Sequence, residues 1–167
     1  NIFTDNIWLI NNMITNNVAA YTGGGVSLTG IGNGVKLVNN TVASNISSAT
    51  NRQAFGTNSP AQGSQSQIAG ISILEGNSPT MLNNIVWGNR SYIVLISGTS
   101  VGLYNPGTTN PAAPNATVSY RDLGRVSGSG TPSASNSLFT TGATGFNGSG
   151  NQFAAATSTN VFVTPNS

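Results

Sequence analysis

Short apolar runs alternate with polar bends along this chain, and one arrangement of them occurs three times. Ile10-Asn11-Asn12-Met13-Ile14-Thr15-Asn16-Asn17, Val38-Asn39-Asn40-Thr41-Val42-Ala43-Ser44-Asn45 and Leu82-Asn83-Asn84-Ile85-Val86-Trp87-Gly88-Asn89 share one order: apolar, Asn-Asn, any residue, β-branched, two more, Asn. The phrases are spaced by 28 and then 44 residues. Such recurrence marks stacked repeats rather than one closed globule. Asparagine enters the left-handed backbone region at low cost and hydrogen-bonds locally, so an Asn-Asn pair between apolar stretches predicts a sharp bend between strands. Gly23-Gly24-Gly25 before Val26-Ser27-Leu28, and Gly70 before Ile71-Ser72-Ile73-Leu74, follow the same grammar. Each repeat is expected to run from a Gly-rich bend through a short strand, a loop, a second strand, the Asn-Asn bend and a third strand.

When such repeats stack at the spacing of β-strands, equivalent side chains lie above one another. Asn11, Asn12, Asn39, Asn40, Asn83 and Asn84 are then expected to bond amide to amide as a ladder. Side chains alternate along a strand. With Leu9, Leu37 and Met81 placed toward the core, Ile14, Val42 and Val86 form the inward column after the bend. Trp8, Ile10, Met13, Leu82, Ile85 and Trp87 then form an apolar outer stripe, a candidate contact surface. The alternative is that a loop, such as 47–67, folds over the stripe.

Composition narrows the class. Asn, Ser, Thr and Gly exceed half of the 167 residues, and only eight residues are charged, far below the quarter or so usual for soluble domains. No 3.6-residue periodicity with Glu, Lys and Ala appears, so the chain reads as all-β. Apolar runs such as Ile7–Ile10 and Ser91–Ser97 argue against disorder over residues 1–97. Lys36, Arg52, Arg90, Arg121 and Arg125 are too sparse and scattered for a nucleic-acid footprint. No run is long and apolar enough to predict a membrane span.

Gly70-Ile71-Ser72-Ile73 followed by Ser78-Pro79-Thr80-Met81-Leu82-Asn83-Asn84-Ile85-Val86-Trp87-Gly88-Asn89 resembles the repeat of right-handed parallel β-helix proteins. These form the pectate-lyase-like superfamily, which includes polymorphic outer-membrane and autotransporter-type surface proteins. Ala116–Asp122 and the closing Asn160–Pro165 resemble the way such arrays run on. The resemblance implies a right-handed parallel β-helix, a solenoid with Asn ladders and long ejected loops. It says little about function, because this scaffold carries lyases, hydrolases, adhesins and passive stalks alike. Coils are expected over 1–125 with loops at 47–67 and 102–114, and residues 126–167 as a Ser/Gly/Thr-rich loop and a final coil, all one domain within a longer array. Phe55, Tyr104, Phe139, Phe146 and Phe153 are expected to tuck the loops onto the scaffold.

Chemistry is thin. The chain has no Cys and no His, which removes thiolate ligands and the commonest general base. The acidic residues are Asp5, Glu75 and Asp122, whereas the superfamily's lyases and hydrolases use clustered carboxylates. Glu75 reads as a solvated turn residue, and Asp122 as the ion-pair partner of Arg121 or Arg125. No catalytic residue, cofactor or metal ligand is assigned. Asn1 reads as the start of an excised piece, and no cap covers the first repeat, so either neighbouring coils of a longer chain or another copy is expected to satisfy that edge. The leading expectation is an extracellular structural or adhesive element: a surface stalk, an adhesin segment or a self-assembling, filament-forming subunit joined head to tail. The alternative is a carbohydrate-binding or polysaccharide-processing module, with Trp8, Trp87, Tyr92 and Tyr120 stacking on glycans.

Overall fold

The computed structural model describes residues 6–32, 34–56 and 63–156. Its strands are short because a left-handed residue interrupts the chain every few positions. Asn11, Asn39, Asn83 and Asn136 take φ of 58°, 56°, 54° and 49°, and Asn16, Ser44 and Gly88 repeat the turn at 59°, 57° and 68°. Between these bends each segment has room for one pleat, and therefore for one inward side chain.

Equivalent segments of successive repeats pair in parallel. The first sheet contains β1 (Trp8–Ile10), β5 (Lys36–Val38), β9 (Thr80–Leu82) and β16 (Ala134–Ser135). Beyond the Asn-Asn bend, β2 (Met13–Thr15), β6 (Thr41–Ala43), β10 (Ile85–Trp87), β17 (Leu138–Thr140) and β18 (Gln152–Ala154) form the second. A third is built from β3 (Val18–Ala19), β7 (Ile46–Ser47) and β11 (Arg90–Ser91), closed by β14 (Ser119–Tyr120), which runs antiparallel to β11. The fourth contains β4 (Val26–Leu28), β8 (Ile71–Ile73) and β15 (Leu123–Arg125). The chain is thus all-β with parallel sheets, and the phrase sets the register: Leu9 pairs with Leu37 and Leu37 with Met81, while Ile14 pairs with Val42 and Val42 with Val86.

The inward columns follow from that register. Leu37, Val42 and Val86 are wholly buried, Met81 nearly so, and they pack with Ile71, Ile73, Leu123 and Phe139 in one cluster. Leu9 and Ile14, in the first repeat, are only partly buried against it. Gly70 is required by close approach, since a Cβ there would collide with the Asp122 carbonyl oxygen.

Two expected loops hold regular structure. Gly102–Tyr104, placed at the start of the 102–114 excursion, belongs to β13 (Ser100–Tyr104), which forms an antiparallel hairpin with β12 (Ile93–Ser97). Residues 127–150 contain β16 and β17, which add a fourth layer in which Ala134 pairs with Met81 and Phe139 with Val86. Ser135-Asn136-Ser137-Leu138-Phe139 keeps the first asparagine of the phrase but has serine at its apolar and second-asparagine positions and Phe139 at its β-branched one, changes that keep the bend and hide the match. Phe139 is consequently a core residue with no exposed surface, not a loop anchor. Phe146 does dock on it, with ring centroids 4.1 Å apart. The described part of 47–67 packs beside the third sheet: the Ser64 amide donates to the Val94 carbonyl (2.9 Å), and the Ser66 and Ser91 hydroxyls are hydrogen-bonded at 2.7 Å. Asp5 and the segment 160–165 lie outside the described residues.

Leu37→Ala should cost about 2–5 kcal/mol and Phe139→Ala about 3–5 kcal/mol. Thr80→Ala, on the outward face of the strand next to Leu37's, should stay within about 0.5 kcal/mol. Urea unfolding of the three variants checks the inward assignment.

Candidate functional site: asparagine rows and the outer face

Two rows of hydrogen-bonded side chains run through the repeats. In the first, the Asn12 Nδ2 donates to Asn40 Oδ1 (3.0 Å) and the Asn40 Nδ2 to Asn84 Oδ1 (3.1 Å), and the backbone N–H of each donor residue joins the same oxygen. The row continues with other chemistry: the Asn84 N–H donates to Ser137 Oγ, and the Ser137 N–H to Asn151 Oδ1. The second row links Asn17 to Asn45 (3.1 Å), Asn45 to Asn89 (3.0 Å) and Asn89 to Asp122 Oδ1 (2.9 Å). The second Nδ2 hydrogen of Asn40, Asn45 and Asn89 goes to a carbonyl of the preceding repeat, on Leu9, Ile14 and Val42 respectively, and Asn84 uses both of its Nδ2 hydrogens on carbonyls, those of Leu37 in the preceding repeat and Leu82 in its own. Every carboxamide donor in the interior is thereby used, as burial of polar groups demands.

These contacts divide the expected ladder in two. Asn12, Asn40 and Asn84 are members. Asn11, Asn39 and Asn83 are not: each spends its left-handed φ on the bend, which turns its side chain away from the row. The second row, Asn17-Asn45-Asn89, was legible as the last asparagine of each phrase but was not among the expected ladder residues. It was missed because single asparagines after the strand look like ordinary turn residues.

Asp122 is also placed differently from expectation. It is 1 % exposed and forms the end of the second row, where its Oδ1 accepts from the Asn89 N–H and Nδ2 and its Oδ2 from the Thr140 N–H (2.8 Å). Arg125 instead donates to the carbonyls of Gly76, Gly130 and Ser127 and to Ser78 Oγ. A carboxylate suits the end of the row because it accepts on both oxygens, whereas an asparagine would turn an N–H toward the Thr140 N–H. Burial raises the Asp122 pKa above the ordinary carboxyl value, and the hydrogen bonds from Thr140 and Asn89 oppose that rise without cancelling it. Of the other acids, Glu75 is exposed at the turn after β8. Among the described residues, no three Cys, His, Asp or Glu side chains come together as a metal site.

The outer stripe divides between two sheets that meet at the Asn-Asn bend. Trp8, Ile10 and Leu82 lie on the first sheet and are 59 %, 43 % and 36 % exposed, and Met13 on the second is 77 % exposed. Ile85 and Trp87 are half-buried. The described part of 47–67 leaves the first-sheet residues uncovered. Lys36 sits 4.9 Å from the centre of the Trp8 ring, a cation–π contact on the surface. Trp87, on the central strand of the second sheet, lines a hollow of about 190 Å³ with Ser44, Ile46, Gly88, Arg90 and Tyr120. Its indole Nε1 donates to the Ala154 carbonyl at 3.3 Å, which fixes the ring. Tyr92 hydrogen-bonds Arg90, and with Tyr120 it holds the guanidinium pKa above the ordinary arginine value, against the opposing effect of burial. Trp87, Tyr92 and Tyr120 are thus brought together around Arg90, and Trp8 is on another sheet.

No protein-family model, curated protein or solved structure matches the chain. Among the described residues, no helix is long and apolar enough to cross a membrane.

Glycine substitutions separate the two asparagine roles. Asn39→Gly, at a left-handed position, should change stability by less than about 0.5 kcal/mol. Asn45→Gly, in the buried row, should cost about 1–3 kcal/mol or more by leaving Asn17 and Asn89 groups unpaired. Because the folded pKa of Asp122 is raised, the folded state holds its proton to higher pH than the unfolded chain does. Stability from this group is therefore fully present below the unfolded carboxyl pKa and is lost as pH rises through the folded value. Urea titrations against Asp122→Asn should show the wild type losing ground to the variant as pH rises across that window.

Proposed function

We propose that the chain is a structural right-handed parallel β-helix serving as an extracellular surface element, a stalk or adhesin segment or the subunit of a self-assembling fibre. The observation that carries this reading is the pair of side-chain rows. They commit the polar interior to joining one repeat to the next, and no buried side-chain N or O among the described residues lacks a hydrogen-bond partner. Stiffness along the stack is the property such rows supply. The low charge leaves little repulsion between neighbouring molecules, and the uncovered Trp8, Ile10, Met13 and Leu82 offer an apolar face for lateral contact. In this reading the stretch performs no catalysis, and its buried carboxylate is a structural terminus. Negative-stain electron microscopy of the purified chain, from well below micromolar upward, should show short rods, single or associated side by side into fibres. Compact particles with no long axis would refute it.

A second reading is favoured by the hollow at Trp87. An indole fixed at its Nε1, beside an arginine held by Tyr92 and Tyr120, provides a stacking surface and a fork of donors, the chemistry that recognises a sugar ring. Glycan-array binding that disappears in Trp87→Ala would support a carbohydrate-binding module, and a blank array would leave the structural reading in place.

A further inference from the structure

The rows have a direction, and that direction makes the two ends of the stack chemically different. In every described step the earlier repeat donates and the later accepts: Asn12 to Asn40, Asn40 to Asn84, Asn17 to Asn45, Asn45 to Asn89 and Asn89 to Asp122. At the first repeat, Asn12 Oδ1 and Asn17 Oδ1 occupy the positions that receive two N–H donors each in later repeats, and no donor reaches them among the described residues. Their second Nδ2 hydrogens turn back to the Ile10 and Thr15 carbonyls of their own repeat, whereas Asn40 and Asn45 reach the repeat before. The backbone amides at these strands run the other way, from the later repeat to the earlier. The Lys36, Thr41 and Ile46 amides donate to Ile7, Asn12 and Asn17 of the preceding repeat, so the equivalent Trp8, Met13 and Val18 amides point out of the open edge.

We infer that the face formed by β1, β2 and β3 is a docking surface for one further parallel β-coil bearing the same Asn-Asn phrase. Its two row asparagines donate to Asn12 Oδ1 and Asn17 Oδ1, and its carbonyls take the Trp8, Met13 and Val18 amides. Hydrogen-bond polarity and continuity with the internal repeat interface select this occupant. The exposed Ile7 and Val18 and the half-buried Leu9 and Ile14 supply its apolar contact. The far end of a second copy does not match, because its second row stops at Asp122, a buried acceptor with no side-chain N–H to offer. Two open edges placed face to face fail for the same reason, acceptor meeting acceptor.

The inference rests on the structural reading above and is tested separately from it. Residues 8–35 repeated in tandem ahead of Trp8 keep the natural 28-residue spacing and present the docking coil at high effective concentration. Hydrogen exchange followed by NMR should show the original Trp8, Met13 and Val18 amides slowed at least tenfold relative to the unmodified chain. Asn12→Asp with Asn17→Asp in the added copy alone should abolish most of that slowing. Unchanged exchange at these three amides, with the Thr41 and Ile85 amides still protected, overturns the inference and leaves the structural reading standing. Loss of protection at Thr41 and Ile85 in the unmodified chain refutes the structural reading itself. Slowing at Trp8, Met13 and Val18 that rises with the unmodified chain's own concentration replaces the phrase-bearing coil with a second copy, and also overturns the inference.

Discussion

A carboxamide carries an acceptor and two donors on one short planar group, and parallel register puts identical groups one strand spacing apart. The interior of this protein depends on that coincidence. The Oδ1 atoms of Asn40, Asn84, Asn45 and Asn89 each accept a side-chain N–H and the backbone N–H of the same neighbouring residue. Bend and row are therefore joined: a shift of one residue would move the asparagine off its partner and turn the inward valine to solvent. The apolar columns could tolerate modest reshuffling among Leu, Val and Met, but the paired amides cannot. Register is held by hydrogen bonds to buried groups, where failure to pair costs most, and the hydrophobic contacts follow it.

The same rows explain how so few charges suffice. A solvated β-surface normally resists mispairing with charged edges, and this chain has little charge to use. It relies on the specificity of donor and acceptor order, and its one described buried carboxylate lies where that order has to stop. Asp122 ends the second row between β14, which runs antiparallel to β11, and β15, which pairs parallel with β8, where the next layer no longer supplies an asparagine. Arg125, which follows it on β15, is spent on the carbonyls and hydroxyl of the loops around Gly76 and Gly130. Charge here terminates and ties off; it does not line a reaction centre.

The parts legible in the sequence are those set by local rules. The three intact phrases gave the bends, the inward columns of Leu37, Val42, Met81 and Val86, and the parallel register between them. Two things escaped. The fourth layer was hidden because Ser135, Ser137 and Phe139 replace the apolar, row-asparagine and β-branched positions of the phrase: the Ser137 hydroxyl accepts from the Asn84 N–H as a carboxamide would, so the structure accepts substitutions that break the sequence pattern. The division of labour within each Asn-Asn pair was hidden because both residues are compatible with a bend, and only φ separates Asn39 from Asn40. Trp87, Tyr92 and Tyr120 were named from the sequence, but not their convergence on Arg90, since Tyr120 reaches it through an antiparallel strand about thirty residues away in sequence.

Directionality is the property that separates this stack from a simple pile of sheets. Backbone pairing alone leaves the two ends of a parallel stack equivalent in hydrogen-bonding capacity, so growth or docking at either end would be matched. Side-chain rows add polarity, because an oxygen that accepts twice cannot exchange places with the amide that donates. A terminal carboxylate then acts differently from a terminal asparagine. It satisfies the last donor and presents none of its own, so the row is complete on that side and incomplete on the other. The outer face can change among Trp, Ile, Met and Leu without affecting this order. The asymmetry of the ends follows from the row atoms themselves, and it persists wherever Asn12, Asn17 and Asp122 keep their places.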